Sequence, residues 1–270
     1  MVLLALGSYQ LGAALAKSLF AGVGPAGAVF LRVALAACLL LLLVRPGLTG
    51  RGRNAWVTVV LFGLALAGMN LAFFLALERV PLGPAVALEF VGPLAVAVAG
   101  SRQRRDLLWT SLAGAGVALF VPWGGGGLDP AGLGLVLIAA ACWAAYILLV
   151  VRAGHLLPGQ DGLVLAMVVA ALALAPTGLA RGQSGFLAPG VLALGLVVAV
   201  LCSAIPFSLE YAALKRVPAR VFAALVALDP VVATIVGFIV LREIPDARTA
   251  AAATLVTTGA LGAALTNRVT

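Results

Sequence analysis

Charge is what this chain has least of. Lys, Arg, Asp and Glu supply 10% of its 270 residues while apolar types supply 64%, against about 25% and 45–50% in a soluble domain. With a mean hydropathy of +1.20, no water-soluble fold could hide the apolar surface. Histidine is almost missing: His155 stands alone, in a predicted loop. The three cysteines, Cys38, Cys142 and Cys202, lie in different apolar runs without paired spacing, which excludes a disulfide framework and leaves too few ligands for a metal centre. They read as helix-packing residues. There is no Gly-rich nucleotide loop with its lysine, and Gly124–Gly127 reads as a turn. Paired acids on one helix, which a membrane-embedded enzyme would need, are also missing. No cofactor and no metal are expected.

What the chain does have is long apolar runs. Bounded by charge, Gly and Pro, they predict spans near 2–20, 26–44, 56–77, 83–100, 107–122, 131–151, 161–180, 189–211, 219–241 and 247–266. The expected fold is an all-α polytopic membrane protein of ten transmembrane helices. The first run has no basic flank, and Ala14-Leu15-Ala16 is similar to a signal-peptidase site; it is read as a retained helix because a repeat gives it a counterpart. Gly12, Gly63, Gly68, Gly114, Gly116 and Gly134 are candidates for close helix contacts, since small residues let backbones approach in lipid.

A formal net charge of +8 could suggest nucleic acid, but the basic residues sit in short clusters beside apolar runs, as orientation in a bilayer requires. With the N-terminus inside, the cytoplasmic segments hold Arg45, Arg51, Arg53, Arg102, Arg104, Arg105, Arg152, Lys215, Arg216, Arg220 and Arg268, and the outer loops only Arg79, Arg181, Arg242 and Arg248. Both termini are therefore predicted in the cytoplasm.

An internal repeat organises the spans. Ala76-Leu77-Glu78-Arg79-Val80-Pro81 returns as Ala213-Leu214-Lys215-Arg216-Val217-Pro218, an offset of 137 residues that also aligns Leu88 with Leu225, Pro93 with Pro230, Gly100 with Gly237 and Tyr9 with Tyr146. The halves are residues 1–122 and 131–266, together one membrane domain. Five spans per half is an odd number, so the halves cross the membrane in opposite senses. Inverted repeats of this kind build secondary transporters whose site lies between the halves near the midplane.

The strings Gly12-Ala13-Ala14-Leu15-Ala16-Lys17-Ser18-Leu19-Phe20, Pro81-Leu82-Gly83, Ala85-Val86-Ala87-Leu88-Glu89-Phe90 and Gly92-Pro93-Leu94-Ala95-Val96, with Pro206-Phe207-Ser208-Leu209-Glu210 and Leu228-Asp229-Pro230, carry a family likeness. The chain resembles, over essentially its whole length, the EamA family of the drug/metabolite transporter superfamily, in particular its bacterial threonine/homoserine exporters. Two departures stand out: Asp229 replaces the usual Glu of a Leu-Glu-Pro string, and Arg242-Glu243 replaces Gly-Glu. The resemblance implies a multi-pass protein of the bacterial cytoplasmic membrane that exports small polar metabolites by alternating access.

Ionised side chains at the bilayer centre cost about 2.5–3.5 kcal/mol, so each asks for a partner or a watery cavity. Arg32, Glu89 and Asp229 are the deep ones. At about 1.5 Å per residue, Arg32 and Glu89 both lie roughly 9 Å inside the outer boundary, which suggests an ion pair. Glu89 reads equally as a proton-exchanging or ammonium-binding carboxylate, because desolvation disfavours a charged acid, or as half of a permanent staple with Arg32. Asp229 has no basic residue at its depth and leans to function. Pro93 and Pro230 remove backbone donors and are candidate hinges; Pro206 is similar but has no match in the first half. Lys17 is read as snorkelling to water, and Glu210 as pairing locally with Lys215 or Arg216. Tyr9, Gln10, Asn70, Trp143 and Tyr146 complete the candidate set, with Tyr9 and Tyr146 expected to face one cavity from two sides.

The leading expectation is an amino-acid exporter, with protons as a candidate coupling ion, lipid as its surroundings and no nucleic-acid partner. A homodimer stays open. The alternatives carried forward are export of drugs or other metabolites and a non-transporting membrane subunit.

Overall fold

The structure, a computed structural model, describes residues 1–80, 85, 88–99, 104–120, 129–181, 185–226, 228, 229, 232 and 247–266. Among the described residues the regular structure is helical throughout: α1 Val2–Val44, α2 Arg53–Ala76, α3 Val91–Ala99, α4 Arg104–Phe120, α5 Pro130–Leu156, α6 Asp161–Arg181, α7 Pro189–Ala199, a π turn Val200–Ala204, α8 Ile205–Leu214, α9 Ala219–Val226 and α10 Ala247–Thr266. Among the described residues, five stretches are long and apolar enough to cross a bilayer: Gly22–Val44, Arg53–Ala76, Pro130–Leu156, Asp161–Ala180 and Pro189–Leu214.

The 43 residues of α1 are two arms broken at Gly24, whose φ of 68° suits glycine and which is followed by Pro25. The Arg32 guanidinium lies over the Tyr9 ring, so the arms fold back on each other. The break falls between the expected spans 2–20 and 26–44. The fifth helix runs on past the expected end at 151, so His155 lies in its last turn, exposed, rather than in a loop.

The outside of the bundle is apolar. Leu3, Leu4, Leu42, Leu43, Leu108, Leu148, Leu172 and Leu179 are exposed, whereas Arg32, Asn70, Ser203 and Asp229 are buried; this is the arrangement of a protein whose solvent is lipid. Small residues bring the helices together. A Cβ at Gly12 would stand 2.6 Å from Cys202 Sγ, one at Gly63 2.6 Å from the Ala166 carbonyl oxygen, one at Gly68 2.9 Å from Cys142 Sγ, and one at Gly116 2.8 Å from the Ala252 carbonyl oxygen. A Cβ at Gly114 or Gly134 would meet nothing within 4 Å among the described residues. Cys38 is exposed, while Cys202 is buried.

Polar contacts separate the two ends of the bundle. At one end Arg51 pairs with Asp161, Lys215 Nζ donates to the Gly159 carbonyl at 3.0 Å, and Arg216 Nη1 approaches Met1 Sδ at 3.8 Å. At the other, Arg79 Nη1 meets Asp129 Oδ2 at 3.1 Å, and Gly185 lies against the Gly22 carbonyl. Asp129 also caps α5 by accepting from the Ala131 N–H. The Arg79 guanidinium holds the Asp129 carboxyl below its ordinary range.

Candidate functional site

The site is assembled around the first arm of α1. Asn70 of α2 donates through Nδ2 to the Leu66 carbonyl at 2.8 Å, which turns its Oδ1 outward, and Arg32 Nη2 donates to that oxygen. Phe74, four residues on and therefore on the same helix face, lies under the guanidinium with its ring centroid 5.6 Å from Cζ; the Tyr9 ring is 5.9 Å away. Among the described residues no ion pair joins Arg32 to Glu89. The expected staple is replaced by a neutral amide and two rings, and Arg32 Nε is buried with no hydrogen-bond partner among the described residues.

Gln10, next to Tyr9, reaches the second half: its Nε2 donates to Asp229 Oδ1 at 2.9 Å. Asp229 is 7% exposed, so a carboxyl group lies buried against a neutral donor. Glu89 lies within electrostatic reach of both Asp229 and Tyr9 and keeps part of its surface accessible. The polar atoms of the three elements thus converge from opposite halves of the chain.

Both acids sit at interruptions in their helices. Pro93 has no N–H to offer the Glu89 carbonyl, and the helix opens at Phe90 before α3 begins. The Phe90 ring packs on Trp143, centroids 5.1 Å apart. In the second half the described helix runs Ala219–Val226, and the Leu228 N–H closes a tighter turn on the Leu225 carbonyl, 3.1 Å, one residue before Asp229. Pro230, the proposed partner hinge, lies outside the described residues, as do the side chains of Lys17 and Arg220.

Tyr146 departs from the expectation of two tyrosines facing one cavity. It has no accessible surface, being packed between Phe62 and Phe207, and its hydroxyl donates to Glu210 Oε2 at 2.8 Å. Glu210 was expected to pair with Lys215 or Arg216, but both cations turn toward the end of the bundle. Its side chain is directed inward, where Tyr146 is the partner. Glu210 and Asp229 are close enough to feel each other's charge.

Pro206 accounts for a feature that residue spacing does not reveal. Around it the helix widens into the π turn Val200–Ala204, where the Ile205 N–H reaches back five residues to the Val200 carbonyl. The Leu201 carbonyl therefore loses its usual donor, and Ser8 Oγ supplies one at 2.8 Å. Cys202 Sγ meets the Tyr9 carbonyl at 3.4 Å. The π turn thus anchors the arm that carries Tyr9 and Gln10.

Residues 130–265 match the EamA-like transporter family. The chain is 41% identical over 246 residues, 90% of its own length and 82% of theirs, to the threonine/homoserine exporters RhtA of Salmonella typhimurium and Escherichia coli strain K12. A protein of known crystal structure that is 22% identical shares the fold, with a TM-score of 0.77 over 99% of this chain and 97% of the other. Identity of that order across most of both chains, joined to helices of membrane length, makes this multi-pass membrane protein a member of the EamA-like transporter family.

Proposed function

We propose that the chain exports small amino acids, threonine and homoserine being the substrates named for its relatives, across a bacterial cytoplasmic membrane in exchange for protons. The observation that carries the reading is a buried cation and a buried acid that do not pair with each other. Arg32 rests on a neutral amide and Asp229 on another, and both meet the adjacent residues Tyr9 and Gln10. A zwitterion supplies the missing charge to each: its carboxylate to Arg32 and its ammonium to Asp229, with Glu89 alongside. Phe74 and Trp143 offer apolar walls.

The proposed frame is ten spans in two inverted halves, both termini cytoplasmic. Helix pairing supports it, because the contacts come in sets related by the repeat. The α2–α5 pair has its counterpart in α7–α8 against α1, while α4–α10 and α3–α9 pair equivalent helices with each other. The ends support it as well, since the N-terminus, Arg51, Asp161 and Lys215 gather on one side. Gly92, the repeat equivalent of Asp229, is pressed against Ala140, so the halves differ where the acid stands. A membrane enzyme would need a reactive constellation, and the polar groups here suit binding.

The test is counterflow with purified protein in proteoliposomes, using labelled amino acids, nucleotides and cationic drugs. Saturable threonine or homoserine exchange that responds to a pH gradient is expected. Exchange of none of the compounds would remove the exporter reading, exchange confined to drugs would redirect it, and indifference to the gradient would remove proton coupling.

A further inference from the structure

We propose that Tyr146 and Glu210 form a proton-carrying site separate from the substrate-binding carboxyls, and that Glu210 releases its proton to the cytoplasmic side when an amino acid occupies Asp229. This deepens the antiport reading above and rests on it.

The argument begins with what Glu210 lacks. It is buried at 9% exposure, and its hydrogen-bond partner among the described residues is a phenol, not a cation. A carboxylate taken out of water without a counter-charge is costly, so a group in this setting exchanges its charge with a proton unless something compensates it. The phenol is held in place by Phe62 and Phe207, at ring distances of 5.5 and 6.0 Å. It keeps its hydrogen bond to the carboxyl in either protonation state.

The groups around Glu210 give the exchange a direction. From α5, Tyr146 faces it; Asp229 acts on it from beyond α9. From α6, Asp161 faces the neighbouring Tyr211 and is itself paired with Arg51. From α1, Arg32 is turned to Asn70 and Tyr9. On its own segment Lys215 turns to Gly159, with its ammonium 5.8 Å from the Tyr211 ring centroid. The Phe62 ring packs on both Tyr146 and Tyr211, and the Tyr211 hydroxyl, buried with no partner among the described residues, lies within electrostatic reach of Asp161 and Arg51.

Coupling arises from like charges. A negative Asp229 opposes ionisation of Glu210. An ammonium group seated on Asp229 cancels that opposition, the Glu210 O–H bond breaks, and the proton passes to water at the Arg51 end while the carboxylate stays behind. Return of a proton to Glu210 weakens the opposite step by the same free energy, so the two occupancies are reciprocally linked. One zwitterion outward is exchanged for one proton inward.

Proton release can be read directly. Purified protein in unbuffered detergent solution with a pH-indicator dye is expected to release about one proton per threonine bound, and Glu210→Gln, which can still accept from Tyr146, is expected to bind threonine and release none. In proteoliposomes the same variant should lose at least tenfold in pH-gradient-driven uptake, with threonine counterflow reduced less than threefold. Proton release equal to wild type, or loss of threonine binding at an unchanged melting temperature, overturns the proposal. Should Glu210→Gln not fold, Tyr146→Phe keeps the carboxyl and is expected to shift the pH midpoint of proton release; an unshifted profile overturns it equally. Wild-type protein that releases no proton and ignores a gradient brings down the antiport reading itself, whereas a coupled wild type with a coupled Glu210→Gln removes this site alone.

Discussion

Gln10 Nε2 lies 2.9 Å from Asp229 Oδ1, a hydrogen bond between residues 219 positions apart that ties the first membrane arm to the broken helix of the second half. A hydrogen bond to a charged group contributes about 1.5–3 kcal/mol. Asp229→Asn keeps a partner for Gln10 but loses the charge, so threonine exchange in proteoliposomes should fall at least tenfold while membrane insertion and melting temperature stay near wild type. Glu89→Gln should lower exchange in the same assay. Wild-type flux in both would return the acids to a structural role.

Arg32 makes a different demand. Its guanidinium suits a carboxylate, which it can grip through two donors, so Arg32→Gln should raise the KM for threonine by about tenfold or more. Transport of threonine amide, which lacks the carboxylate, should change little. Equal loss for both compounds would show that Arg32 shapes the site and does not bind the carboxylate.

Packing can be tested without any transport assay. A Cβ at Gly92 would collide with the Ala140 carbonyl oxygen, whereas one at Gly114 has open space. Overpacking costs about 1–3 kcal/mol, so Gly92→Ala should lower the melting temperature in detergent and Gly114→Ala should not. Equal melting temperatures would mean that α3 and α5 do not press together at this point.

The Arg79–Asp129 contact should be felt in acid. Because the folded protein holds the Asp129 carboxyl below its ordinary range, its contribution is complete above the unfolded value near pH 4 and is lost as pH falls through the folded one. Melting temperature should drop across that acidic window less steeply in Asp129→Asn than in wild type, and added salt should shrink the difference, as both side chains are exposed. A slope independent of residue 129 would leave the pair without effect.

Hydropathy makes most of the helices legible, since runs of about 20 apolar residues can satisfy their backbones in lipid only as helices. The turn at Gly24-Pro25 is visible for the same reason that it exists: one residue is free to take positive φ and the next cannot continue the ladder. Asp229 and Arg32 can be singled out because charge at depth is costly. Their partners cannot, because Asn70 and Gln10 are neutral and distant in sequence, and similar depth alone points to Glu89. Glu210 is misjudged for a local reason. Lys215 and Arg216 come soon after it in the chain, yet they stand five and six residues on, beyond the last residue of α8 and past the i+3 and i+4 positions that share a helix face. The acid is set on the face toward α5 while the two cations reach for Gly159 and Met1.

The break at Gly24 leaves no slack between the two arms of α1. Gln10 rides on one arm and Arg32 on the other, with no loop to let them drift. In the proposed export cycle, a rocking bundle would move the arms as a single lever, carrying the proposed grip on the carboxylate and the strut beside the acid together. The substrate would then be turned between the two sides of the membrane inside a clasp of nearly constant width, and access would change around it.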